Sequence, residues 1–247
     1  MQIKSINYIN FRNLKNNKLE FHPRFNLFMG KNGQGKTSIL EAIYFSITGK
    51  SFRTKHIKEL IKYDYQDAGA MINYEDRLGK KSIGIKFNGK TREYLYNKSK
   101  VKFDEFIGRV NVISFIPDDI YLILGNPSLR RTFFDYEIAQ GNEIYYKNLK
   151  DFNKILKIRN KFLKEGKSKD PLFEVYNEKF IELSVKIFSK RFEYIKKLSV
   201  LLNLNYRKLF SDKSELKIVY KSFSENIFKS EDIMKEEFIK TDRKSVV

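Results

Sequence analysis

The stretch FMGKNGQGKTSILEAI, residues 28–43, places three glycines within six positions, between two apolar runs. It fits G-x-x-x-x-G-K-[ST] at every fixed position. The run before it, RFNLFMG, has the apolar and aromatic character of a strand, and TSILEAIYFSI after it has helical spacing that ends at Thr48-Gly49. A phosphate-binding loop lies between a strand and a helix. The stretch therefore predicts an α/β fold with a nucleoside-triphosphate site, the alternative being a glycine-rich turn that matches by chance.

Each residue type in this loop has a physical role. The glycines permit positive φ angles, so that successive N–H groups can surround an anion. Lys36 is expected to reach the β- and γ-phosphates, and the Thr37 hydroxyl is expected to bind Mg²⁺. The helix that opens after Gly35 directs the positive end of its dipole at the phosphates. The predicted binding residues are Gly30, Lys31, Asn32, Gly33, Gln34, Gly35, Lys36, Thr37 and Ser38.

The composition is that of a globular protein, since 41% of the 247 residues are hydrophobic and 15% are aromatic. No window approaches 18 uninterrupted apolar residues, which argues against a membrane span. The N-terminal residues lack the apolar core and cleavage site of a signal peptide, and there is no cysteine. We therefore expect a cytoplasmic protein without a membrane partner.

The net charge of +19 is spread along the chain, with +11 in residues 1–150 and +8 in residues 151–247. An even basic field favours binding to polyanions such as nucleic acid. Lysine accounts for 37 of the 49 basic residues, however, and codon bias in an AT-rich genome gives the same pattern. The lysine-rich helical stretch (Lys154, Lys157, Arg159, Lys161 and Lys164) is accordingly either a path for DNA or a solvated face.

Three segments in order resemble the RecF family of ABC/SMC-type ATPases: INFRNL (9–14), residues 28–53, and VISFIPDDIYLILGNPSLRRTFFD (112–135). The resemblance implies that the loop binds ATP with Mg²⁺ and that Arg12 approaches the nucleotide; the alternative for Arg12 is a surface arginine after a strand. It also implies DNA, single-stranded and gapped duplex, as the substrate in recombinational repair. RecO, RecR and an ATP-dependent homodimer are the implied partners.

The same resemblance implies an ATPase head whose mixed sheet carries the phosphate-loop helix, followed by a largely helical lobe. Residues 1–125 are expected to form the N-terminal part of the head (lobe I), and residues 126–247 the mainly helical lobe II. The chain shows no apolar strand that ends in paired acids and no L-S-x-G-Q signature. We therefore expect a C-terminally truncated head with an incomplete sheet, which binds ATP without turnover. The rival interpretations are another SMC-like ATPase and a small-molecule P-loop kinase.

Local patterns give further expectations. The Asn-Gly in KFNGKTREYLYN predicts a hairpin, and RVNVISFI (109–116) and ELKIVYKSF (215–223) predict strands. Ser128 is expected to cap one helix that runs over residues 129–166, and GKSKDP is expected to separate it from a second long helix. Asp118 is expected to cap a helix, a metal role for Asp118 or Asp119 being the alternative. Arg131 is expected to pair with Asp135 on one helix, a phosphate-contacting or lobe-bridging role being the alternative for Arg130 and Arg131.

Overall fold

The computed structural model describes residues 1–210, 215–221 and 232–237. They form two compact units, which divide between Asp119 and Ile120. The first unit is an α/β structure and the second is helical. The assignment of residues 1–125 and 126–247 to two lobes of an ATP-binding head stays a prediction. The elements of the first unit are β1 (Gln2–Ile9), β2 (Asn17–Glu20), α1 (Lys36–Thr48), β3 (Ala68–Asp76), β4 (Gly79–Phe87), β5 (Arg92–Tyr96), β6 (Ser99–Val101) and the short α2 (Phe103–Phe106).

Six strands form one sheet in the order β2-β1-β3-β4-β5-β6, and each described pairing is antiparallel. Alternate residues point to opposite faces, so that Ile6, Ile72 and Ile83, which pair across β1, β3 and β4, are buried on the same face. The hairpin predicted from the Asn-Gly is confirmed, since Phe87 pairs with Arg92.

Helix α1 packs on the buried face of the sheet. Its Phe45 ring lies 6.0 Å from the Phe11 ring and 4.9 Å from the Phe87 ring, and all three are buried. The helix ends as predicted, because Gly49 has a φ of 69° and its N–H donates to Phe45 O at 2.9 Å. This packing fixes the helix that carries Lys36 and Thr37 against the sheet.

Three segments predicted as strands are not strands in the described residues. RFNLFMG and RVNVISFI join no described strand, and residues 215–221 of ELKIVYKSF form none; residues 222 and 223 lie outside the described part. Strands need a neighbour to satisfy their backbone hydrogen bonds, and local sequence does not encode that neighbour. Several apolar side chains of the first two segments are exposed, at 71% for Phe25, 81% for Met29 and 94% for Phe115, whereas Val110 is buried in the core. The sheet is therefore incomplete, as predicted.

The second unit is a helical hairpin with smaller helices before it. Its elements are α3 (Tyr121–Leu124), α4 (Pro127–Gly141), α5 (Glu143–Lys164), α6 (Pro171–Phe210) and a helical segment at 232–237. The predicted break is confirmed, since Gly166 has a φ of 70° and Pro171 starts α6. Among the described helices, none combines the length and apolar content needed to cross a bilayer.

The predicted cap Ser128 lies two residues too late, and the single helix predicted after it is divided at Asn142 into α4 and α5. Asn126 is the N-cap, because its side chain accepts from Leu129 N, and Pro127 occupies the first helical position. Helix capping by Asp118 is also wrong: Asp119 Oδ2 accepts from Ile116 N at 2.9 Å, at the start of the 3₁₀ turn Pro117–Ile120.

Asp135 pairs with a distant arginine rather than with its helical neighbour Arg131. Arg191 of α6 donates to both oxygens of Asp135, at 2.6 and 2.7 Å, and Tyr145 Oη donates to Asp135 at 2.5 Å. Arg130 donates from Nη1 to Gly125 O at 2.8 Å, at the end of α3. Burial raises the pKa of Tyr145, so this hydroxyl stays a donor to Asp135. Asp135 thus joins α4, α5 and α6.

The exposure of residues 113 and 115 can be tested by comparing their effect on stability with that of a core residue. Because Ile113 is 90% and Phe115 is 94% exposed, Ile113→Ser with Phe115→Ser should change the free energy of unfolding by less than about 0.5 kcal/mol. Phe45→Ala, at a fully buried position, should lower it by about 3–5 kcal/mol. Urea denaturation followed by circular dichroism measures both. Equal losses in the two variants would show that residues 113 and 115 are packed.

Candidate nucleotide-binding site

The glycine loop has the backbone conformation that an anion site requires. Gly30, Gly33 and Gly35 have φ angles of 147°, 80° and 89°, a region that other residues rarely adopt. Gly35 directly precedes α1, which begins at Lys36. The loop therefore delivers the free N–H groups of the first turn of α1 to the same place as its own backbone.

The turn that follows β1 is bound to this loop by hydrogen bonds. Asn13 Nδ2 donates to Gly33 O at 2.7 Å, and Ser38 Oγ donates to Asn13 Oδ1 at 2.9 Å, so one amide joins the loop to α1. A Cβ at position 35 would lie 2.6 Å from Leu14 Cδ2. Glycine is favoured at position 35 by its positive φ, and a larger residue would also have to displace the end of the Leu14 side chain.

Lys36 spans its own loop. Its ammonium group donates to Gly30 O at 2.7 Å and to Lys31 O at 2.8 Å. These two carbonyls hold the Nζ atom over the loop, where a phosphate oxygen can replace them as the acceptor. The predicted role of Lys36 in phosphate binding is compatible with this position.

Arg12 is held by a buried carboxylate. Its Nε and Nη2 atoms donate to the two oxygens of Glu41 at 3.0 and 2.8 Å, and its Nη1 donates to Glu59 O at 2.8 Å. Glu41 lies on α1 and its side chain is fully buried. A buried carboxylate needs such a partner because removing it from water is costly. Arg12 has a φ of 51°, which this network maintains.

A second arginine shares the same carboxylate. Arg53 Nη1 lies 3.4 Å from Glu41 Oε2, with its side chain 46% exposed, and Ser51 Oγ donates to Glu41 Oε1 at 2.5 Å. Two guanidinium groups against one carboxylate leave a net positive charge beside the loop. This excess favours an anionic ligand.

A cavity of about 690 Å³ opens at this place, within the usual size range of small-molecule sites. Its lining includes loop residues 32–38, both arginines and Lys62, and Glu59 is the single acidic residue in the described part of this lining. Of the residues predicted from the sequence, only Gly30 and Lys31 are not part of the lining. The excess of cations over anions suits a polyphosphate.

The described residues contain no cluster of three or more acidic or histidine side chains that could hold a metal ion by themselves. Thr37 lines the cavity, so its predicted role with Mg²⁺ would depend on phosphate oxygens and water as further ligands.

Sequence reasoning missed six residues of the lining, which are Asn13, Arg53, Glu59, Ile61, Lys62 and Tyr63, and also Glu41, which binds Arg12. Asn13 belongs to the INFRNL segment, so that segment was a usable signal for it. Glu41 is one turn beyond Thr37 on α1, but the helical pattern does not distinguish a buried acid from an exposed one. Arg53 ends the segment 28–53, so that segment was a usable signal for it. Tyr63 carries no local signal, since the cavity that it lines is formed by residues far apart in sequence.

Known proteins resemble this chain in sequence. A family model described as the RecF/RecN/SMC N-terminal domain matches residues 2–117. The chain is 36% identical over 222 residues to the DNA replication and repair protein RecF of Alkaliphilus oremlandii, and 38% identical over 224 residues to that of Clostridium botulinum strain Loch Maree. Each match covers 89% of this chain and 61% of the relative, so the chain spans about three fifths of the length of these relatives.

Solved structures agree with the sequence matches. A structure of the recombination mediator protein RecF with ATPrS in the RecFOR pathway superimposes with a TM-score of 0.89 and 30% identity, over 99% of this chain and 67% of the other. The chain belongs to the RecF family. A second RecF structure, with ATP, gives a TM-score of 0.85 and 29% identity over 99% of this chain and 69% of the other. The fold class predicted from the sequence, a RecF-type ATPase head with a helical lobe and an incomplete sheet, is confirmed.

The two arginines at Glu41 should differ in their effect on stability. Arg12→Ala removes the bidentate partner of a fully buried carboxylate and should lower the free energy of unfolding by about 3 kcal/mol. Arg53→Ala, which removes a longer and half-exposed contact, should lower it by less than about 1 kcal/mol. Urea denaturation of both variants makes the comparison. Equal effects would mean that Glu41 does not depend on Arg12 in solution.

Proposed function

We propose that this chain is the ATP-binding part of a RecF-type DNA replication and repair protein, which binds ATP and DNA in recombinational repair. The observation that carries the proposal is the phosphate loop held by the Asn13 side chain at the wall of a cationic cavity. The solved RecF relatives with ATP and ATPrS support ATP as the nucleotide.

In the proposed complex the triphosphate lies against the loop and the start of α1. Lys36 exchanges its two carbonyl acceptors for phosphate oxygens, and the free N–H groups of the first helical turn bind the remaining oxygens. Thr37 supplies a hydroxyl ligand to Mg²⁺. Arg12, which Glu41 fixes in the lining, adds positive charge near the phosphates.

The proposed substrate is DNA with gaps or single-strand/double-strand junctions. The net charge of +19 supports a polyanionic partner. ATP acts in this proposal as a switch, which closes a homodimer into a DNA-binding state. RecO and RecR are the proposed protein partners, supported by the relatives described within the RecFOR pathway.

A small-molecule kinase fits less well. Strands β1 and β2 precede the loop, whereas such kinases usually place the loop after their first strand. The identity of 36–38% to RecF proteins likewise supports RecF over other SMC-like ATPases.

Replacing the loop lysine tests the nucleotide site. Lys36→Ala should weaken MgATP binding by at least about tenfold, because a charge-assisted contact to phosphate is lost. Lys86→Ala is the matched control. Lys86 is an exposed lysine of β4, and its substitution removes the same charge. Isothermal titration calorimetry measures both affinities. Unchanged ATP binding in Lys36→Ala would overturn the assignment of the phosphate loop.

Coupling between ATP and DNA tests the proposed class. A gapped duplex should tighten ATP binding, and ATP should tighten DNA binding by the same factor, because the two equilibria are linked. The DNA affinity should also fall steeply with salt. Fluorescence anisotropy of a labelled gapped duplex, with and without MgATP, measures the effect. An ATP affinity that stays the same when the gapped duplex is added would favour a small-molecule kinase instead.

A further inference from the structure

The cavity at the phosphate loop has a lining of two chemical kinds. The loop and the cationic side chains supply N–H groups and positive charge. Among the described residues of this lining, Ile61 and Tyr63 are the only ones with apolar or aromatic side chains. A nucleoside triphosphate is divided in the same way, into an anionic chain and a flat, weakly polar base. The two kinds of lining therefore match the two parts of such a ligand.

The segment that carries Tyr63 is bound to the turn at residues 10–14, which also binds the phosphate loop. Phe11 forms a bridge with Ile61, and Lys62 N donates to Asn10 O at 2.7 Å. A turn then follows, in which Tyr65 N donates to Lys62 O at 3.2 Å. Because the phosphate loop and Tyr63 are both attached to residues 10–14, their relative position is set by one short piece of chain.

Tyr63 is 88% exposed although it lines the cavity, so its ring is accessible to a ligand. Water contact with such a large aromatic surface is unfavourable, and a stacked base would remove it. Stacking on an aromatic side chain is a common way in which proteins bind nucleic acid bases.

We propose that Tyr63 is the stacking platform for the base of the nucleotide whose phosphates bind the loop at 30–37. This inference rests on the proposed ATP site and adds the residue that binds the other end of the ligand. Ile61 supplies a further apolar side chain to the lining of the same cavity. Lys36 and the loop bind the phosphates, and Tyr63 contributes only to ligands that carry a base.

The test separates the base from the phosphates by comparing MgATP with magnesium tripolyphosphate. Tyr63→Ala should weaken ATP binding by about 5-fold to 100-fold, the usual effect of removing a stacked aromatic side chain. The affinity for tripolyphosphate should stay the same. Tyr63→Phe should restore ATP binding, because it keeps the ring. At 88% exposure none of these changes should shift the melting temperature.

Tyr65→Ala is the matched control. Tyr65 is 51% exposed and lines a neighbouring cavity of about 1010 Å³, but it is not part of the lining at the loop. The Tyr65→Ala variant should bind ATP with the same affinity as the protein without substitutions. Equal weakening by Tyr63→Ala and Tyr65→Ala would overturn the proposal.

The outcomes distinguish this inference from the proposed function. Tyr63→Ala that binds ATP normally, or that loses ATP and tripolyphosphate alike, would refute the stacking role while leaving the loop intact. An unchanged chain that binds neither ligand, or Lys36→Ala that binds both normally, would refute the ATP site itself.

Discussion

The buried carboxylate of Glu41 is the constraint on which the nucleotide site depends. It lies on α1, the helix that carries Lys36 and Thr37, and it accepts hydrogen bonds from Arg12 after β1 and from Ser51 after α1. Burying an ion is costly unless its partners surround it. Arg12 in turn donates to Glu59 O. One carboxylate therefore fixes three parts of the site relative to one another: helix α1, the turn that follows β1, and the wall of the cavity.

This arrangement places a charge network beside the loop without filling the loop. Glu41 neutralises one of two arginines, and the remaining positive charge lies at the cavity, where a triphosphate would bring the missing negative charge. The loop lysine is held meanwhile by carbonyl oxygens of its own loop. Such weak neutral acceptors are readily exchanged for phosphate oxygens, since charge-assisted hydrogen bonds are stronger.

A partly buried carboxylate with several hydrogen-bond donors also connects the helices of the helical unit. Asp135 binds Arg191, 56 residues away, and accepts from Tyr145, so a single carboxylate joins three helices. Both units thus use one acid with several donors at a junction of elements. The apolar segments that join no described strand, at residues 25–29 and 111–116, have by contrast no regular secondary structure and expose several large apolar side chains. Their sequence favours strands, but a strand forms only where a neighbour supplies the hydrogen bonds.

The sequence by itself determined the features that depend on near neighbours: the loop with its three positive-φ glycines, the extent of α1 to Thr48, the hairpin of β4 and β5, and the break between α5 and α6. The motifs around the loop also determined the RecF family. Only the tertiary structure decided the rest. It paired Arg12 with Glu41, 29 positions away, and Asn13 with Gly33, 20 positions away, and it brought Tyr63 to the loop. Helical and strand periodicities relate residues two to four positions apart, whereas these contacts arise when separate elements pack together.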